Sequence, residues 1–386
     1  MEFQQPLINL QKAKIKQKKT RKRTNLIAVP IGIAIGILIA FAENIFDSVN
    51  YNFTLFFILA LLGTMSLQVI LHELGHLIFG LFSDYRFVSF RVFSFAIYKK
   101  DGKLRFGRYR VPGTFGQCFM CPTKEDDAMP YRALLLGGVI VNTAVALLFV
   151  IPLVFLYHIL FWRLFSYGMI FWGITFAIGN GIPRKSGAIA NDGYHIKILP
   201  QSAFERASFF NQLRISAAMT EGKRFSEMPE EWFSLPEHQT IDPLSATLRT
   251  MEAEREMDLG RLDQAKTILL DLATRGESLS EFQLSSVLTE LLYLEMVGKH
   301  RLDQIEILRK ELETHLKITK RSFTALRIEI TYHYLFTGDL NQVETLEKAF
   351  HKNAKHFPFS GEIARENLLI LYPKALYQNW RNTMGN

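Results

Sequence analysis

Residues 53–82 form an almost unbroken apolar run, and inside it stands His72-Glu73-Leu74-Gly75-His76. About 20 apolar residues, rising about 1.5 Å each, cross a bilayer core, so the run predicts a membrane-spanning helix. Ionisable side chains are expensive at that depth and persist where they serve a function. Positions four apart share a helix face. His72 and His76 can therefore bind one zinc ion while Glu73 takes a proton from water, the His-Glu-x-x-His arrangement of metal-assisted hydrolysis. The competing reading, two histidines that merely find hydrogen-bond partners, fits a soluble helix better than an apolar span.

Charge orients the span. Residues 12–23 carry eight Lys and Arg and run into a second apolar stretch, 26–42. A basic cluster abutting a span reads as a cytoplasmic topology anchor that also meets anionic lipid, rather than as a nucleic-acid arm. The stretch 26–42 is longer than a signal-peptide core and ends in no small-x-small cleavage pattern, so it is read as a retained first span behind a basic tail, 1–24. Two further stretches, 133–160 and 164–182, bring the expected spans to about four. Residues 43–52 contain no Lys or Arg, whereas 83–130 contain nine. The N-terminus and the loop after residue 82 are therefore expected in the cytoplasm. Glu73 then lies roughly 30 Å along its helix, at the cytoplasmic edge of the hydrocarbon, where water has access.

Within that loop, residues 87–98 and 104–109 alternate apolar and polar on either side of Asp101-Gly102. This predicts a β-hairpin over 87–110 whose exposed edge pairs with an extended peptide. The two cysteines, Cys118 and Cys121, form one Cys-x-x-Cys without the additional ligands of a zinc site or the βαβ setting of a redox site, and are expected as reduced, packed thiols.

Two more motifs follow. Gly137-Gly138-Val139-Ile140-Val141-Asn142 puts an amide in the third span, where Asn142 taken alone reads as a helix–helix hydrogen-bonding group. The fourth span ends Gly179-Asn180-Gly181-Ile182-Pro183, a helix break, and Asn191-Asp192-Gly193 comes next. Together with the histidine motif, these segments resemble the site-2 proteases, zinc metalloproteases that cut within or beside the membrane, over roughly a third of the chain, 53–195. The resemblance implies a membrane-associated β-element near the active site, with Gly113 and Gly116 allowing close approach. It also implies that Asn142 faces the site as the end of a Gly-x-x-x-Asn. Asn180 and Pro183 match the family's Asn-x-x-Pro, and Asp192 stands at the third zinc ligand's position. Eight residues separate Pro183 from Asp192, a longer spacer than the family pattern carries, so His195, and then Asp126 or Asp127, stay open as alternatives. The implied site holds one Zn2+ per chain on His72, His76 and Asp192, with Glu73 as base and Asn142 and Asn180 holding the substrate backbone or the developing oxyanion.

From residue 200 onward the chain is charged and has no run long enough to span a membrane. It follows a span that ends beside Arg184 and Lys185, so it is expected in the cytoplasm. Gly260-Arg261-Leu262-Asp263-Gln264 is echoed by Gly298 with Arg301-Leu302-Asp303-Gln304, and again by Gly338-Asp339-Leu340-Asn341-Gln342. The echo predicts a helix-turn-helix array similar to tetratricopeptide repeats, with a surface for a protein or peptide partner. The expected fold class is mainly α: a polytopic helix bundle over 25–199 with a membrane-associated β-hairpin, and a cytoplasmic α-helical repeat domain over 200–386. The expected function is intramembrane hydrolysis of membrane-anchored proteins or leader peptides near the cytoplasmic face of a bacterial cell membrane, without a nucleic-acid partner. The competing function is a non-catalytic scaffold that recruits partners through its repeats, against which Glu73 argues. Transport would call for paired broken helices, and 83–130 is too short to hold a PDZ insertion.

Overall fold

The computed structural model describes residues 2–20, 51–111, 113–124, 129–186, 189–234 and 243–384. The stretch 26–42, expected as the first span, lies outside the described residues. After helix α1 (4–20), three helical segments are long and apolar enough to cross a membrane. They are α2 (Tyr51–Leu81), the pair α3 (Arg132–Leu148) and α4 (Val150–Phe155), and α5 (Leu160–Gly181). Pro152 has no N–H to return to Leu148, which accounts for the step between α3 and α4. Apolar side chains stand uncovered on these helices, among them Phe56, Leu59, Leu147, Phe155 and Phe161. That surface suits lipid rather than water. The inner faces are lined by small residues instead. Gly75 of α2 and Gly137 of α3 meet backbone to backbone, with no room for a Cβ on either.

A four-stranded antiparallel sheet follows α2, in the order β3-β2-β1-β4: β1 (Tyr85–Val92), β2 (Phe95–Lys100), β3 (Lys103–Arg108) and β4 (Gly116–Pro122). The β2–β3 hairpin turns through Asp101 and Gly102 at φ 52° and 72°. The alternating run 87–98, however, is two strands. The chain reverses at Phe93 (φ 53°), so that Phe95 pairs back on Val92. No Gly, Pro or Asn marks this turn. It is closed by distant groups, with Phe93 N–H donating to Phe115 O at 2.6 Å and Arg91 Nη1 donating to Phe93 O at 2.7 Å. The hairpin's outer strand is an edge of the sheet with residues 103–106 exposed, and at its end Arg108 N–H donates to His356 O at 2.7 Å. The sheet edge that lies beside Glu73 is β4.

Beyond two short strands, β5 (Lys185–Ser186) and β6 (Ile189–Ala190), come α6 (Asp192–Ile198) and α7 (Ala203–Thr220), and then a helical unit. Three helix pairs build it: α8 (Pro243–Asp258) with α9 (Leu262–Arg275), α10 (Glu281–Val297) with α11 (Leu302–Ile318), and α12 (Phe323–Tyr332) with α13 (Leu340–Ala354). The long helix α14 (Ser360–Met384) closes it. Each echoed segment is the turn inside one pair. The left-handed residue two positions before the second helix is Gly260 (φ 77°), His300 (φ 54°) and Gly338 (φ 65°) in turn. In the middle pair His300, not Gly298, thus occupies the glycine's place, and four residues (298–301) join the helices where three (259–261) do in the first pair.

The basic tail is part of this unit. Phe3, Leu10 and Ala13 of the N-terminal segment are buried in the core formed by α8 to α12, with Leu7 packed beside them. Asn9 Nδ2 donates to Ala273 O and Thr274 O, carbonyls left open at the end of α9. Lys14 pairs with Glu311, and Glu2 with Arg301. The apolar residues recur three and four apart, a helical stripe that the eight Lys and Arg obscure when only charge is counted.

Candidate metal centre

His72 and His76 lie one turn apart on α2, with their Nε2 atoms 3.2 Å from each other. Asp192 Oδ2 is 3.3 Å from the first and 3.4 Å from the second. An ion with bonds of about 2.0–2.1 Å holds tetrahedral ligands about 3.3–3.4 Å apart, so these atoms sit as three corners of such a site with the fourth open. Among the described residues, these three side chains form the group able to hold a metal ion.

Polar contacts behind the imidazoles set their tautomers. Asn142 Nδ2 donates to Gln68 O (3.0 Å) and Gln68 Oε1 (2.6 Å), while Gln68 Nε2 donates to Met169 O of α5 (2.8 Å). Both donors of the Asn142 amide are thereby used, so the group 2.6 Å from His72 Nδ1 is its Oδ1 acceptor. His72 must donate from Nδ1, which leaves the Nε2 lone pair for a metal. His76 does the same, giving its Nδ1 proton to Leu134 O at 2.7 Å. Asn142 and Gln68 are fully buried. Asn142 therefore meets the site through His72.

The spacer before Asp192 has a simple geometry. Strands β5 and β6 pair, so the extra residues form a small loop that returns to its starting point, and Asn191 N–H donates to Arg184 O at 3.1 Å. Asn191 then ties the two helices together. Its Nδ2 donates to Gly179 O and Ile182 O at 2.7 Å each, and its Oδ1 accepts from Arg184 N and from Tyr194 N, capping α6. The next residue, the first of α6, is Asp192. Burial alone would raise its carboxyl; when the His76 and His72 rings are protonated, their charges and hydrogen bonds bring it well below the usual carboxylate range.

Two glycines mark how tightly the groups are set. A Cβ at Gly138 of α3 would fall on the His72 ring, and one at Gly116 of β4 on the Glu73 carboxylate. Glu73 is itself 7% exposed. Asn180 Nδ2 donates to Phe176 O of its own helix at 3.1 Å. His195 packs on Tyr194 and Phe209, away from the three ligands. Asp126 and Asp127 lie outside the described residues. Cys118 and Cys121 are free thiols on β4, and burial pushes both up, away from the thiolate form.

Sequence reading missed Gln68, Asn191 and the Leu134 carbonyl. Gln68 had a signal, being a polar residue four before His72 on an apolar helix. Asn191 had a weaker one as Asn in front of a short helix. A backbone carbonyl has none. Compared with protein-family models, with curated proteins and with solved structures, the chain matches none.

Proposed function

We propose that this chain is an intramembrane zinc endopeptidase that hydrolyses membrane-anchored proteins or precursor and leader peptides near the cytoplasmic face. The observation that carries the reading is the His72–His76–Asp192 triangle with Glu73 seated between it and the start of an edge strand. Two imidazoles, one carboxylate and an open fourth position are the donor set of catalytic zinc, which when bound polarises a carbonyl and lowers the pKa of water. The chain's own groups do the rest. Glu73 accepts the proton of the attacking water and returns it to the leaving amine. Asn142 and Leu134 O keep both histidines in the ligating tautomer. An extended substrate pairs along β4, which leads its backbone past Glu73.

The packing of α1 on the helical unit supports a shared side of the membrane for the N-terminus and residues 200–386, and the basic residues make that side the cytoplasm. The helix pairs suit a peptide or protein partner. A scaffold without catalysis has no use for a buried carboxylate beside three metal ligands.

The test compares membrane-derived and released peptides, by mass spectrometry, from cells with the wild type and with Glu73→Gln at matched expression. Fragments that need Glu73 are expected, and their termini give the site of cutting. Indistinguishable profiles, with zinc bound in both proteins, would refute the peptidase reading.

A further inference from the structure

Arg91 of β1 is fully buried. Among the described residues it has no carboxylate within ion-pair distance, and its Nε has no hydrogen-bond partner. The charge that answers it is the Glu73 carboxylate, felt through space from beyond ion-pair distance, and a buried cation so placed calls for a reason. Three of its hydrogen bonds converge: Nη1 to Phe93 O at 2.7 Å, and Nη2 to Thr114 Oγ1 at 2.5 Å and Gly116 O at 3.2 Å. The guanidinium is thus the clasp of the segment that lies on the Glu73 carboxylate.

A second set of contacts reaches Arg91 from the helical unit. Its carbon Cζ stands 5.3 Å from the centre of the Tyr109 ring. On Tyr109 lie the rings of Phe357 and Phe359, at 5.7 and 5.6 Å, and Phe359 also meets Phe119 of β4 at 6.1 Å. Both phenylalanines belong to the link between α13 and α14. The link is fastened to the sheet by Arg108 N–H on His356 O and by Lys100 Nζ on Ser360 Oγ at 2.6 Å.

We propose that Arg91 is a positioning residue for Glu73, and that the 355–360 link of the helical unit is the wedge that holds it in place through Tyr109. A partner that engages the helical unit then has a mechanical route to the metal centre. The contact chain stands by itself; its effect on cleavage rests on the peptidase reading. A misplacement of about 1 Å at a catalytic group can cost on the order of a hundredfold in rate.

The test uses the full chain, loaded with zinc in detergent, as wild type, Phe359→Ala, Phe359→Leu, Phe359→Tyr and Arg91→Lys. Lysine keeps the charge but, as a compact point charge, lacks the planar fork that spans these separated acceptors. Amide hydrogen exchange over 113–118 is expected to rise about tenfold in Arg91→Lys, Phe359→Ala and Phe359→Leu. Exchange over 68–78 and one zinc per chain are expected to persist, and Phe359→Tyr, which restores a ring, should return 113–118 to the wild-type rate. Glu73-dependent fragments in cells should fall in step, by about tenfold to a hundredfold. Unchanged exchange at 113–118 in the folded Phe359→Leu protein would overturn the wedge, and unchanged exchange in Arg91→Lys the positioning role. Raised exchange in the variants, together with a wild type that releases no fragments, would uphold the positioning and refute the peptidase reading alone.

Discussion

Replacing Asn142 by leucine tests the tautomer logic of the metal centre. Leucine fills nearly the same space but offers no acceptor, so the His72 Nδ1–H, now 2.6 Å from Asn142 Oδ1, is left buried and unmet. An unmet buried donor costs about 1–3 kcal/mol. The imidazole escapes that cost by moving its proton to Nε2, which removes the lone pair the metal needs. Loss of such an outer partner weakens metal binding by about 10–100-fold, or about 1.4–2.7 kcal/mol. Competition for zinc against a chromophoric chelator, with the solubilised chain, measures this directly. Thr143→Val is the control, because that hydroxyl bonds only within its own helix, to Val139 O at 2.8 Å. An Asn142→Leu affinity within twofold of wild type would show that His72 does not depend on this contact for its ligating form.

Three further outcomes are expected. Gly138→Ala should weaken zinc binding by about tenfold or more in the same titration, since its Cβ lands on the His72 ring and ligand orientation sets affinity; binding equal to wild type would show that α3 can retreat. Phe3→Ala should lower the stability of the helical unit by about 3–5 kcal/mol, because Phe3 is 1% exposed in its core. An unchanged thermal midpoint would mean that α1 does not dock there in solution. His315, packed on Phe282 at 5.0 Å between ring centres, has its pKa lowered by burial to about 4. The unfolded chain takes up this proton first, so its contribution is intact above about pH 6.5 and is lost as pH falls toward 4. Melting midpoints of wild type should therefore drop across that window more steeply than those of His315→Gln, and parallel curves would refute the assignment.

The ligands on α2 were legible because helical spacing and apolar context are local properties: His72 and His76 share a face whatever α2 packs against, and Glu73 stands between them. The three apolar spans among the described residues and the Asp101-Gly102 hairpin were legible for the same reason. Asp192 was read with a spacer too long for the pattern. Only the pairing of β5 with β6, and the four hydrogen bonds of Asn191, show how extra residues leave that carboxylate in register. Asn142 kept its place but changed its role, since a sequence shows an amide and not which of its two ends faces a histidine. The turn at Phe93 was hidden because the groups that close it, Arg91 and Phe115, make their bonds only in the folded chain. The docking of the N-terminal segment was hidden because charge is conspicuous and the stripe of Phe3, Leu7, Leu10 and Ala13 gains meaning only from the core that receives it. Local periodicity is written into the chain, and so it determined the helices and two of the ligands. What lies behind His72, which edge faces Glu73 and where a terminus docks depend on contacts between residues far apart in sequence, and those the tertiary structure alone decided.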